Sequence, residues 1–169
     1  MVLDIDKRVN NTLTLSLGGN MGDVQTNFIN AINEAENELG RVIKKSSLYK
    51  TAAWGNEEQP DFLNQVVVLD TNCSPHECLQ KVLEIEMKLG RIRAEKWGER
   101  IIDIDILFDN NEIIDTTELK VPHPYIQDRN FILVPLSEVS GQFIHPLINK
   151  TIETLRIECN DSLIVSKQC

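Results

Sequence analysis

The stretch Ile101-Ile-Asp103-Ile-Asp105-Ile-Leu-Phe-Asp109 alternates apolar and acidic residues. A period of two is the repeat of a β-strand whose faces meet different surroundings. Ile102, Ile104, Ile106 and Phe108 are expected to face the core. Asp103 and Asp105 then project together from the opposite face.

Working back from this strand, Ser74-Pro-His-Glu77 is a helix start. Ser is the N-cap, Pro takes the first helical position and Glu closes a capping box. That helix runs to Leu89, with Gly90 after it. Phe62 to Thr71 is a strand around Val66-Val-Val-Leu69, and Arg41 to Lys50 is another, with a turn-rich loop from Thr51 to Asp61 between them. Phe28, Ile32, Ala35 and Leu39 recur at helical spacing, with Gly40 as the stop. Leu13, Leu15 and Leu17 alternate with Thr12, Thr14 and Ser16 on a first strand ending at Gly18. The order strand–helix–strand–strand–helix–strand is the split β-α-β arrangement. It predicts an α+β, ferredoxin-like antiparallel sheet with helices covering one face and an active site on the other. Beyond Glu112 the pattern weakens: Val121-Pro-His-Pro124 is extended, Phe131 to Leu136 is apolar, and Thr151 to Cys159 is a short helix. Residues 151–169 carry no interpretable motif.

The chain has 169 residues, which predicts a single domain over 1–169. Its 41% hydrophobic and 25% charged residues argue against disorder. A formal charge of −9 disfavours non-specific binding to nucleic acid or to an anionic membrane. A phosphate-bearing ligand therefore calls for a local basic patch or a metal ion. Cys73, Cys78, Cys159 and Cys169 form neither a C-x-x-C pair nor a Cys/His cluster of zinc-site type. The N-terminal residues have acids where a signal peptide has an apolar run, and no apolar stretch reaches membrane-spanning length. A reduced, cytoplasmic protein is the expectation.

Two neighbouring carboxylates on a strand repel unless a cation sits between them, and hard oxygen ligands suit Mg²⁺. Alternation alone leaves a second reading open, a solvated strand face. What favours function is the company of the pair: Lys88, Arg91, Arg93, Lys96 and Arg100 are five cations in thirteen residues. Gly90, Gly98 and Trp97 share the segment. Cations beside metal-bound phosphates are how phosphoryl transfer is stabilised, and the planar fork of Arg suits phosphate oxygens. Glu86 falls inside the helical stripe of Leu79, Val82, Leu83 and Leu89, where a carboxylate needs a partner, either a nearby Arg or a ligand. His123 sits rigidly between two prolines; His76 is expected in solvent and His145 in a structural role. Gly18, Gly19 and Gly22 fit neither common phosphate-loop spacing and read as a tight turn into a helix. No nucleophile–base signature is present.

Lys96-Trp-Gly-Glu-Arg100-Ile-Ile-Asp103-Ile-Asp105-Ile-Leu107 resembles the signature of the 6-hydroxymethyl-7,8-dihydropterin pyrophosphokinase family of folate biosynthesis. The resemblance extends to Leu17-Gly-Gly-Asn20, Ser47-Leu-Tyr-Lys-Thr51 and Gln59-Pro-Asp-Phe-Leu-Asn64. It includes Glu86 with Gly90-Arg-Ile-Arg93, and Val121-Pro-His-Pro124 with Arg129 and Phe131. It implies transfer of the β,γ-pyrophosphate of ATP to the pterin hydroxymethyl group, with release of AMP. It also implies that Asp103 and Asp105 hold two Mg²⁺ ions, and that Arg91, Arg100 and Asp105 are catalytic. Glu86, Arg91, Arg93, Arg100, His123 and Arg129 would contact the nucleotide. Thr51, Trp54, Phe62, Asn64, Trp97 and Phe131 would form the pterin pocket. The implied partners are ATP and the pterin alone, in a monomer without nucleic acid or membrane. The chain departs from the family at Ala52 and Ala53, where proline is common, and at Phe62, where Tyr is common.

Competing readings are a metal-dependent phosphohydrolase or nuclease using the same carboxylates, and a ferredoxin-like ligand-binding regulatory domain. A nucleic-acid-binding sheet is disfavoured by the acidic charge and the absence of an aromatic ladder.

Overall fold

Leu13, Leu15 and Leu17 define one face of strand β1 (Asn11–Gly19), and all three are buried. The computed structural model describes residues 11–53, 58–92 and 98–169. β1 pairs antiparallel with β4 (Phe62–Thr71), setting Leu15 against Val67 and Leu13 against Leu69. On its other edge β1 pairs antiparallel with β5 (Asp103–Asp109), setting Leu17 against Ile104 and Leu15 against Ile106. Helices α1 (Val24–Glu38) and α2 (Pro75–Lys88) cover this apolar face. Phe28, Ala31 and Ala35 of α1, and Cys78, Val82 and Ile85 of α2, complete the core. Fully burying one Leu or Phe contributes roughly 1.5–3 kcal/mol, so this layer anchors the fold.

The helix start predicted at Ser74 is present. The Ser74 hydroxyl accepts from the Glu77 amide, and the Glu77 carboxylate accepts from the Ser74 amide at 2.7 Å, with Pro75 in the first turn. Asp23 caps α1, accepting from the Thr26 amide at 3.1 Å. The sheet order is β5-β1-β4-β3-β8, with β3 at Tyr49–Thr51 and β8 at Val165–Lys167, and β2 (Gly40–Lys45) is also beside β4; every pairing is antiparallel. This is the ferredoxin-like α+β arrangement expected from the sequence.

Several local expectations are corrected. The segment Arg41 to Lys50 is two strands, β2 (Gly40–Lys45) and β3 (Tyr49–Thr51). Between them Ser46 stands in for a ladder residue: its hydroxyl accepts from the Val66 amide at 3.0 Å and its carbonyl accepts from Gln65 Nε2 at 2.7 Å. Phe108 does not share a face with Ile104 and Ile106. Thr14 opposes Phe108 while Leu15 opposes Ile106, so Leu107 is a bulge residue. One extra residue reverses the facing of everything after it. Phe108 therefore joins a second core, with Val66, Leu107, Ile126, Ile132, Leu133, Leu136, Ile152 and Leu155. Asp109, opposite Leu13, turns inward to the α1/α2 side.

That second core lies under α3 (Asn130–Ser140) and α4 (Ile152–Glu158), so the second face is also partly covered. The remaining strands are β6 (Ile114–Asp115), which pairs with β7 (Lys120–Val121), and β8 (Val165–Lys167), which pairs with β3. Among the described residues no helix is long and apolar enough to cross a membrane.

Candidate active site

Register places the acidic pair. Ser16 lies opposite Asp105 and Gly18 opposite Asp103, while Gly18 also lies opposite Asn64 on β4. Paired residues share a face, so both aspartates and Asn64 stand on the part of the second face that α3 and α4 leave open. Two clefts meet there. The larger, about 760 Å³, is lined by Gly18, Thr51, Phe62, Asn64, Arg100, Arg129 and Phe131, among others. The smaller, about 270 Å³, is lined by Leu83, Glu86, Arg91, Lys120 and His123, among others. Asp103 and Asp105 line both.

The approach to β5 is built by close packing. A Cβ on Gly19 would lie 2.7 Å from the Ile101 carbonyl, so only glycine lets the two chains meet there. Asn20, buried at the turn after β1, accepts from the Arg100 amide at 3.0 Å and donates to the Pro60 carbonyl at 3.1 Å. One side chain thereby fixes both the start of β5 and the loop before β4.

Two arginines converge on Asp103. Arg91 reaches Oδ1 at 2.7 Å and Arg100 reaches Oδ2 at 2.5 Å. Arg91 also pairs with Glu86. Glu86 is 2% exposed and accepts from the Ile104 amide at 2.7 Å. The carboxylate inside the apolar stripe thus has its partners, and it ties α2 to β5 and orients Arg91. Burial nevertheless raises the Glu86 carboxyl against the Ile104 and Arg91 interactions. Burial disfavours the Arg91 charge, but Asp103 and Glu86 outweigh that and hold it above its ordinary value.

Asp105 differs from Asp103. Among the described residues its carboxylate accepts no hydrogen bond. Burial first, then the charges of Asp103 and Glu86, push it up to about 7. His123 is brought in by the bulge, since its amide donates to the Leu107 carbonyl at 3.0 Å. Burial, then Arg129, push its imidazole down to about 4, so it is neutral near pH 7. Its Nδ1 accepts from the Tyr125 amide at 3.2 Å, which leaves the ring proton on Nε2.

In the larger cleft, Asn64 Nδ2 donates to Thr51 Oγ1 at 3.1 Å. Arg100 lies over the Phe62 ring at 5.8 Å, and Arg129 over the Phe131 ring at 5.7 Å. The two aromatic rings and the Asn64 amide suit a flat, hydrogen-bonding ring system.

The structure therefore brings together Thr51, Phe62, Asn64, Glu86, Arg91, Arg100, Asp103, Asp105, His123, Arg129 and Phe131 around one pair of clefts. Trp54, Arg93, Lys96 and Trp97 lie outside the described residues. His76 is exposed. His145 is buried against Phe108, and its Nδ1 accepts from the Leu147 and Ile148 amides at 3.3 Å, a structural role. Sequence reasoning missed Ser16, Lys120, and the wall of the larger cleft from Glu158 to Leu163. No motif marks that wall.

The sequence profile of the 7,8-dihydro-6-hydroxymethylpterin-pyrophosphokinase (HPPK) family matches residues 14–141. The 2-amino-4-hydroxy-6-hydroxymethyldihydropteridine pyrophosphokinase of Aquifex aeolicus is 41% identical over 147 residues, covering 87% of this chain and 91% of that protein. The Bacillus subtilis protein of the same name is 41% identical over 135 residues, covering 79% of this chain and 81% of its own. The wild-type HPPK-DHPS crystal structure from Plasmodium falciparum shares the fold, with a TM-score of 0.70 at 19% identity. The match covers 88% of this chain and 44% of that one, so this chain spans less than half of the larger protein.

Proposed function

The chain belongs to the 7,8-dihydro-6-hydroxymethylpterin-pyrophosphokinase family and transfers pyrophosphate from ATP to hydroxymethyldihydropterin in folate biosynthesis, releasing AMP; we propose that its two clefts divide the substrates, the larger taking the pterin and the smaller the nucleotide. The observation that carries this division is that Asp103 and Asp105 line both clefts. A phosphate chain entering from one side and a hydroxymethyl group from the other would meet at the same two carboxylates.

On this reading Phe62 and Phe131 stack on the pterin, and Trp54 and Trp97 belong to the same pocket by the family resemblance. Asn64, steadied by Thr51, hydrogen-bonds its edge. Glu86, Arg91, Arg93, Arg100, His123 and Arg129 serve the nucleotide, Arg100 and Arg129 from the larger cleft, where its phosphate chain would meet the pterin. Neutral His123 presents an Nε2–H donor without a charge.

Asp103 and Asp105 are proposed to hold two Mg²⁺ ions, and the donor set fits. Both are hard oxygen donors on one strand face, and the raised pKa of Asp105 reflects burial first and then the charges of Asp103 and Glu86, which a divalent cation would offset. Among the described residues no group of three or more His, Cys, Asp or Glu is arranged to hold a metal ion, so further ligands would be water and phosphate oxygens. Bound there, Mg²⁺ would supply Lewis-acid neutralisation of phosphate charge. Arg91 and Arg100, both on Asp103, can move their hydrogen bonds to phosphate oxygens, exchanging one anionic partner for another. Glu86 keeps Arg91 aimed during that exchange. The proposed working form is a monomer, acting in the cytoplasm where its cysteines would stay reduced.

Chromatography of products from ATP and Mg²⁺, with and without 6-hydroxymethyl-7,8-dihydropterin, tests this reading. AMP is expected only when the pterin is present. ADP or phosphate formed without it would favour a hydrolase and overturn the assignment.

A further inference from the structure

The larger cleft is closed on one side by chain that lies beyond residue 141, where the family match ends: Glu158, Cys159, Asn160, Asp161 and Leu163. Asp161 is the joint of this wall. Its Oδ2 accepts from the Asn130 amide at 2.9 Å and its Oδ1 from the Leu163 amide at 2.9 Å. Asn130 Nδ2 returns a hydrogen bond to the Asp161 carbonyl. Asn130 is the first residue of α3, whose own N-cap, Arg129, makes no side-chain capping bond. A helix start leaves amides without internal partners and favours a negative group. Here both needs are met from the C-terminal segment, 31 residues away.

The residues flanking Asn130 are Arg129 and Phe131, and both line the cleft. The same segment continues into β8, which pairs Val165 with Thr51. Gln168 donates its amide to the Leu48 carbonyl at 2.8 Å. The C-terminal segment therefore braces two walls of the cleft at once, the start of α3 and strand β3.

We propose that Asp161 is a positioning residue for pterin binding, which holds Phe131 in place by capping α3 from the C-terminal segment. This rests on the pterin occupying the larger cleft. The test is steady-state kinetics of the full chain against each substrate, with thermal midpoints, for Asp161→Ala and Asp161→Asn. Asp161→Ala is expected to raise the pterin KM about tenfold, the scale of one lost helix cap, with a clearly smaller rise in the ATP KM, because Arg129, which serves the nucleotide, adjoins the same cap. Asp161→Asn keeps an oxygen for the Asn130 amide and should recover most of that loss. An unchanged pterin KM in Asp161→Ala, or a parallel rise in both KM values with a falling midpoint, would overturn the proposal. A wild type without pterin-dependent AMP formation would instead overturn the pyrophosphokinase reading on which it rests.

Discussion

Asp103 and Asp105 are two residues apart on one strand yet are held in opposite electrostatic conditions. Asp103 is gripped by two arginines, whereas Asp105 faces burial and two like charges. A third aspartate on the same strand shows what burial does without a ligand role. Asp109 is fully buried, and neither carboxylate oxygen has a partner among the described residues. Burial, then Glu112, push it up to about 6 from an ordinary 3.8. Below about pH 4 folded and unfolded chains both hold this proton and it costs nothing. As pH rises to about 6 the unfolded chain ionises first, so stability falls, and the full penalty persists above that. At 1.36 kcal/mol per pKa unit, that penalty is at most about 3 kcal/mol. Asp109→Asn should therefore gain on wild type by roughly 1–3 kcal/mol between about pH 4 and pH 8 in urea denaturation. An equal difference at both pH values would show that Asp109 does not ionise abnormally.

At the scale of elements, legibility followed side-chain pattern and failed where backbone decides. β1, β4 and α2 were readable because alternation, a run of valines and a capping box are written in residue types. The facing of Asp103 and Asp105 was readable for the same reason. The Leu107 bulge was not, because nothing in Ile106-Leu-Phe108 announces an extra residue, and it carries Phe108 and Asp109 to the other faces. Helix α3 was hidden by Pro135, which argues against a helix interior and yet lies inside this one. The break between β2 and β3 depends on one serine, whose side chain takes over a ladder acceptor. Ser46→Ala would leave the buried Val66 amide facing no hydroxyl and should cost about 1–3 kcal/mol. Thermal or urea unfolding checks this, and a loss under about 0.3 kcal/mol would mean the backbone pairing alone holds the corner.

At the scale of the whole molecule, the sheet works as a partition. One face is filled by α1 and α2 and supplies stability. The other is partly covered by α3 and α4; the larger cleft opens on its uncovered part, the smaller lies at the β5 edge against α2, and the two aspartates are common to both. The family resemblance read from residues 96–107 supplied the identities of the substrates, which periodicity alone could not. The geometry adds the arrangement: a larger cleft with Phe62, Phe131 and Asn64 beside Arg100 and Arg129 on one side of the aspartates, and a smaller one with Arg91, Lys120 and His123 on the other. The most direct test is AMP formation by Asp105→Asn beside wild type, at saturating ATP, pterin and Mg²⁺, with the thermal midpoint of each. Removing this charge should lower turnover by at least about 10²-fold, the scale of one lost electrostatic contact in a transition state. The midpoint should hold or rise, because Asp105 is a half-buried charge beside like charges. Turnover within about threefold of wild type in a folded Asp105→Asn protein would contradict the claim that the shared carboxylates carry the transfer.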